Sequence, residues 1–156
     1  MLRAAGRLAA PIPLAETMLA RWLAARAGLA LLEGPVGLIV ETPDQHFELG
    51  ADGKSLRFAG AAAAVPWARD ARGILVSTRA ATAVLMPALT EISPGRNLAG
   101  EPRDTVTFDL ILQPGAVAAA PAGAGAATAF RLGALFRAAQ MAGALEVGLE
   151  LAVTRS

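Results

Sequence analysis

The run AFRLGALFRAAQMAGALEVGLELAVTRS, Ala129 to Ser156, decides how the rest of the chain is read. Phe130, Leu135, Phe136, Met141, Leu145, Leu149 and Val153 recur at spacings close to three or four. That period predicts a helix with one buried stripe. Arg131, Arg137, Gln140, Glu146 and Glu150 fall largely between the apolar positions and are expected to stay wet. Gly133, Gly143 and Gly148 each cost roughly 1 kcal/mol relative to alanine inside a helix, so backbone or ligand is expected to approach closely there. No capping glycine or proline follows, and the chain runs out at Thr154, Arg155, Ser156. A striped helix without a stop signal suggests that its partners lie on another subunit or on a continuation.

Working outward, 156 residues allow one domain with a core and appended helices. Hydrophobic residues make up 54% but aromatics only 4%, so the core must come from Leu, Val, Ile and a few Phe. A net charge of +1 exerts no long-range pull on nucleic acid or an anionic membrane. Cysteine is absent, which excludes disulfides, thiolate catalysis and Cys-ligated metal. The uncharged run between Asp109 and Arg131 is interrupted by Pro114 and Pro121 and makes a poor membrane span. Arg3 and Arg7 without a preceding acid faintly imitate a targeting peptide, but Pro11 and Pro13 break it, so a cytoplasmic chain is expected.

In chain order, Leu2 to Ala10 reads as a short helix ended by Pro11-Ile12-Pro13. A second helix follows from Pro13, with Leu14, Met18, Leu19, Trp22 and Leu23 as its apolar face and Gly28 as its end. Trp22 at that spacing reads as core. From Leu31 the texture changes to short apolar or alternating runs: VGLIV (36–40), HFEL (46–49), SLRFA (55–59), GILVS (73–77) and TAVLM (82–86). Turn residues separate them, and Asp52-Gly53 is a hairpin signal, so an antiparallel β domain is predicted. VTFDLIL is the clearest strand, with Val106, Phe108, Leu110 and Leu112 on one face. PGAVAAAPAGAGAAT then reads as a small-residue linker. The expected fold is α+β, a small antiparallel β-barrel or sandwich between an N-terminal helical segment and one long C-terminal helix. Its divisions fall at 1–32, 33–114 and 115–156.

The candidate sites are sparse. His46 is the single histidine, in a strand-like run, and reads as an ordinary side chain. Glu146 and Glu150 lie one helical turn apart without a third ligand and read as a solvated face. Gly123-Ala124-Gly125-Ala126-Ala127-Thr128 lacks the third glycine and the lysine of phosphate loops and reads as linker. Arg103-Asp104 reads as a charged turn before the strand at Val106. Trp67 in AVPWARDA has two readings, plain packing and a platform for a planar ligand. No catalytic residue and no metal set emerges.

Three stretches together resemble the FAD-dependent acyl-CoA dehydrogenases: AGRLAAPIPLAET (Ala5 to Thr17), NLAGEPRDTVTFDLIL (Asn97 to Leu112) and LGALFRAAQMAGALEVGLELAVTRS (Leu132 to Ser156). They are similar to the end of that family's N-terminal helical domain, the closing strands of its middle β domain and the first long helix of its C-terminal domain. The resemblance implies FAD as cofactor, an acyl-CoA thioester as substrate and fatty-acid-type metabolism. A glutamate base takes the α-proton while the β-hydride passes to the flavin. In the family that glutamate and an Arg-Gln-Phe-Gly flavin-diphosphate motif come after the point this sequence reaches, and neither Glu146 nor Glu150 matches the base. The family's Thr-Glu loop is not seen in GPVGLIV, and its Lys-x-Trp-Ile-Thr-Asn-like strand is replaced by AAAAVPWARDA. Pro66, Trp67 and Ala68 are therefore the flavin-side candidates.

The resulting expectation is a truncated acyl-CoA dehydrogenase-like polypeptide, inactive alone and homo- or hetero-oligomeric through its C-terminal helix. The alternative is a non-catalytic interaction subunit docking on a full-length dehydrogenase partner. A third reading is a stand-alone β module of shared ancestry.

Overall fold

The computed structural model describes residues 1–43, 45, 47–52 and 55–154. His46, Gly53 of the hairpin signal, and Arg155 and Ser156 lie outside them. Two helices open the chain, α1 (Leu2–Arg7) and α2 (Leu14–Ala27), the second ended by Gly28 at φ 68°. That left-handed cap is the conformation glycine adopts without strain. The strands are β1 (Val36–Val40), β2 (Phe47–Asp52), β3 (Ser55–Pro66), β4 (Gly73–Ser77), β5 (Ala81–Leu85), β6 (Glu91–Ser93), β7 (Arg103–Leu112) and β8 (Val117–Ala119). Helix α3 spans Ala126–Thr154.

Among the described residues the strands form two four-stranded sheets, β1-β4-β5-β8 and β2-β3-β7-β6. The fold class is α+β, and of the barrel and sandwich alternatives the two sheets realise the sandwich. Between them lie Ile39, Phe58, Val65, Ile74, Val76, Leu85, Val106 and Phe108. Phe47, Phe58 and Phe108 cluster there, the Phe58 and Phe108 ring centres 5.0 Å apart. A second core, including Leu19, Leu23, Val36, Leu75 and Ala129, joins α2 and α3 to the other face of the first sheet. GILVS is buried at every position because β4 is covered on both faces. Strand β7 alternates as its pattern predicts, with Val106, Phe108 and Leu112 buried and Thr107, Asp109 and Ile111 exposed.

Several expectations are corrected. The β domain is not wholly antiparallel: β1 pairs with β4 in parallel, Val36 opposite Gly73. The hairpin β2–β3 belongs to the other sheet, so the chain returns to β1 by a crossover, and crossovers make parallel neighbours. The stretch taken as linker contains β8, which pairs with β5, and its Ala126, Ala127 and Thr128 already belong to α3. Trp22 and Met18 are 40% and 38% exposed, because α2 docks on the sheet through Leu19, Ala20, Leu23 and Ala24 instead.

The largest correction concerns α3. Phe130, Leu135, Met141, Leu145, Leu149 and Val153 are 61 to 70% exposed, and the buried positions are Ala126, Ala129 and Gly143. Of the residues expected to stay wet, Arg131 and Glu150 are exposed, whereas Arg137, Gln140 and Glu146 are half-buried against the rest of the protein. Arg137 pairs with buried Glu16, Arg3 with Glu146, and Arg7 with Glu146 and Glu150. The reason lies in what covers the helix. Helix α1 brings backbone and two arginines, so the docking face must be small and acidic. A Cβ on Gly143 would strike the Arg3 carbonyl, and one on Gly6 the Gln140 carbonyl. Of the glycines expected to mark close approaches, Gly143 does so. Gly133 has ordinary contact with Leu19, and Gly148 faces open space.

Candidate functional site

A cleft of 490 Å³ opens where the β strands meet α2 and α3. One wall is apolar: Leu38 and Val40 of β1, Ala62 of β3, and Ala129, Phe130 and Ala134 of α3. The register of β3 against β7 shifts between Ala62 and Val65, and Ala64 in that bulge has φ 55°. A bulge bends its strand and disrupts the ladder locally, so this one gives β3 an irregular edge along the cleft. Residues 62–66 all line the cavity.

The polar groups of the cleft come from positions that sequence reasoning passed over. Glu16 is only 7% exposed and is tied to Arg137, which also donates to Gln140 Oε1 at 2.9 Å. Arg103 donates to Glu101 Oε2 and to the Pro102 carbonyl, both at 3.0 Å. Gln45 lines the cleft with its Oε1 buried and, among the described residues, without a hydrogen-bond partner. A buried carbonyl left unpaired is destabilising, which makes it a natural acceptor for a ligand N–H. Glu16 and Arg137 are 121 positions apart, and only the docked helices bring them together.

Of the three predicted flavin-side residues, Pro66 lines the cleft. Trp67 is half-buried at φ 56°, with its N–H on the Pro102 carbonyl at 3.4 Å, and is not among the lining residues. Ala68 is fully buried. The turn that carries them is fixed by Asp104, which is not a surface turn residue as expected. Its carboxylate is fully buried in β7, pairs with the Arg69 guanidinium, and accepts from the backbone N–H of Arg69 at 2.9 Å and of Gly95 at 3.2 Å. Burial alone would push this carboxyl up. The Arg69 guanidinium and the two N–H groups outweigh it and hold Asp104 below the usual range.

Glu146 and Glu150 both pair with arginines of α1; Glu146 is half-buried there, while Glu150 stays exposed as expected of a solvated face. The Arg3 guanidinium holds the Glu146 carboxyl below its ordinary value, burial opposes this only in part, and Arg7 adds to it. The glycine-rich run at 123–128 opens α3, with Gly123 at φ 72° and Ala124 buried. A smaller cavity of 320 Å³ adjoins it, lined by Arg79, Phe130 and Arg131 among others, and the Arg79 backbone N–H donates to Glu41. Among the described residues no group of three or more His, Asp or Glu is placed to hold a metal. None of their helices is long and apolar enough to cross a membrane.

No protein-family model matches the sequence, and no curated protein matches it significantly. Solved structures do. The ChsE4–ChsE5 complex from Mycobacterium tuberculosis superposes with a TM-score of 0.77 at 20% identity, over 98% of this chain and 47% of that one. A variant of the Tcur3481–Tcur3483 steroid ACAD gives 0.78 at 20% identity, over 96% and 46%. An acyl-CoA dehydrogenase from Slackia heliotrinireducens gives 0.63 at 19% identity, over 76% and 36%. The fold is that of the acyl-CoA dehydrogenases. This chain spans less than half the length of each of these three chains.

The acyl-CoA dehydrogenase fold implies a flavin. The apolar wall and the unpaired Gln45 Oε1 suit a flat heterocycle carrying an N–H donor. The two arginines lining the cleft are both engaged, Arg103 with Glu101 and Arg137 with Glu16. The cleft therefore suits the ring portion of such a cofactor.

Proposed function

We propose that this chain is an acyl-CoA dehydrogenase-like subunit that acts inside an oligomeric, cytoplasmic assembly and does not turn over substrate alone. The observation that carries the reading is the fold agreement over 98% of the chain, with its cleft at the junction of β strands and long helix. The assembly would use FAD to oxidise an acyl-CoA thioester between its α and β carbons. In this reading residues 1–32 supply the end of a helical domain, and 33–114 supply the middle β domain, carried on to Ala119 by β8. The remainder, up to 156, supplies the first helix of a further bundle. Pro66, with Trp67 and Ala68 behind it, borders the flavin ring.

The cleft offers no free base for turnover by the chain alone. A general base must be free to take a proton, and Glu16, the carboxylate lining the cleft, is buried in its pair with Arg137. The exposed apolar side of α3 favours the second form of the reading, a non-catalytic subunit seated on a complete dehydrogenase. The ChsE4–ChsE5 structure, a neighbour in fold, is itself of a complex.

Two measurements test this. Titrating the purified chain with FAD should give weak fluorescence quenching, with a Kd on the order of 10 to 100 μM, since both arginines lining the cleft are already paired with carboxylates. No quenching at 1 mM would remove the flavin from the reading. An acyl-CoA oxidation assay with an artificial electron acceptor should show no activity for the chain alone, and turnover would overturn the subunit assignment.

A further inference from the structure

Arg137 stands on the helical wall of the cleft with its charge paired and part of its hydrogen-bonding capacity unused. A long side chain on a helix leans back over the preceding turn. Here that turn holds Gly133 and Ala134, two small residues that also line the cleft. A guanidinium carries more N–H donors than two partners can use. One terminal nitrogen donates to Gln140 Oε1 at 2.9 Å and the other to the Glu16 carboxylate. Its other N–H groups, Nε–H included, have no partner among the described residues. The Arg137 side chain is 36% exposed while Glu16 is buried. Open donors therefore meet the cleft, and the carboxylate that balances them does not.

We infer that this pair is the specificity group of the cleft, and that it seats a neutral oxygen, a ketone or hydroxyl, at the remote end of an otherwise apolar acyl group. The inference rests on the acyl-CoA part of the reading above and names the acyl class it would take. Glu16 cancels the guanidinium charge, so a ligand carboxylate would bring a second anion to one cation in a partly dry site. A plain alkyl end would strip water from the open N–H groups and leave them unpaired. A ketone or hydroxyl oxygen accepts from them and adds no charge. Ala15, Ala129, Phe130 and Ala134 supply apolar lining for the rest of the acyl group. Gln45 and Pro66, the groups on the flavin side, come from the β domain, so the two ligands are read from different walls.

Isothermal titration calorimetry of the purified chain with octanoyl-, decanoyl- and dodecanoyl-CoA tests this. Each length is used plain, with a ketone at the penultimate carbon, and with a terminal carboxylate, so the differences report the remote end alone. At the length that reaches Arg137 the ketone should bind about 10-fold tighter than the plain chain, and about 10-fold or more tighter than the carboxylate. Glu16→Gln uncovers the guanidinium charge and should make the carboxylate the tightest of the three. The double variant Glu16→Gln, Arg137→Met removes both charges together, leaves no lone buried ion, and should abolish the ketone preference. Circular dichroism reports folding, and should Glu16→Gln not fold, the wild-type series and the double variant still decide.

The inference is overturned by equal affinity for the three ends at every length, or by a carboxylate preference in the wild type. It is also overturned by an unchanged order in folded Glu16→Gln, or by a ketone preference that survives the double variant. FAD quenching is followed in the same samples. Quenching without any response to the remote oxygen sinks this inference and leaves the flavin reading in place, whereas a chain that binds neither thioester nor FAD sinks both.

Discussion

Asp104 combines complete burial with a charge, and it holds three backbone or guanidinium groups around the turn at Trp67. Asp104→Asn leaves the Arg69 guanidinium facing a neutral amide and should destabilise the fold by about 3 kcal/mol, read as a lower urea midpoint at pH 7. Because its folded-state pKa is depressed, the contribution is complete above the unfolded value near ~4 and fades as pH falls through the folded one. The gap between wild type and Asp104→Asn should therefore close below about pH 4. Gln45 is the opposite case, a buried acceptor without a donor among the described residues. Gln45→Met should stabilise the free chain by roughly 1 kcal/mol and weaken FAD quenching in the same variant. Neither role was visible in the sequence. Asp104 sits beside Arg103 and pairs with Arg69, and that choice depends on β7 lying against the turn after β3.

At the scale of elements, the α1–α3 contact is made of bare backbone and ion pairs. Gly143→Ala would drive a methyl into the Arg3 carbonyl and should lift α1, at an expense of about 1 to 3 kcal/mol. Hydrogen exchange should show lost protection in residues 2–7 and across 140–147 before the sheets are affected. Acid below the ordinary glutamate range should act alike: Glu146 is held low by Arg3, so its pairing is complete above that range and is lost as pH falls through its depressed folded-state value. Local sequence pattern located most of these elements. VGLIV and GILVS match β1 and β4 to the residue, and Gly28 closes α2 as its position suggests. The three-residue strands β6 and β8 carry too few side chains for a period to be seen. The side of α3 that turns inward was misread because a helix this rich in alanine and leucine offers apolar residues on every side. The outcome was decided by Gly6 and the two arginines of α1.

For the whole molecule, the three-layer arrangement brings the cleft together from segments remote in sequence: Glu16, Gln45, Arg103 and Arg137. The β runs and flanking helices could be read in advance, but the cleft could not. No local pattern reports that α2 and α3 will share one side of the first sheet. Arg137→Leu tests that junction. It leaves the Glu16 carboxylate buried and alone, which should lower the melting temperature by several degrees.

Arg7 and Glu146 are separated by 139 positions, and the contact between α1 and α3 fastens the first helix to the last. Translation at roughly 5 to 20 residues per second leaves α1 unanchored on the ribosome for something like 10 to 30 seconds. Throughout that interval the nascent chain displays Arg3, Arg7 and the naked backbone around Gly6, a window in which chaperones or proteases can reach it before synthesis of α3 shuts it.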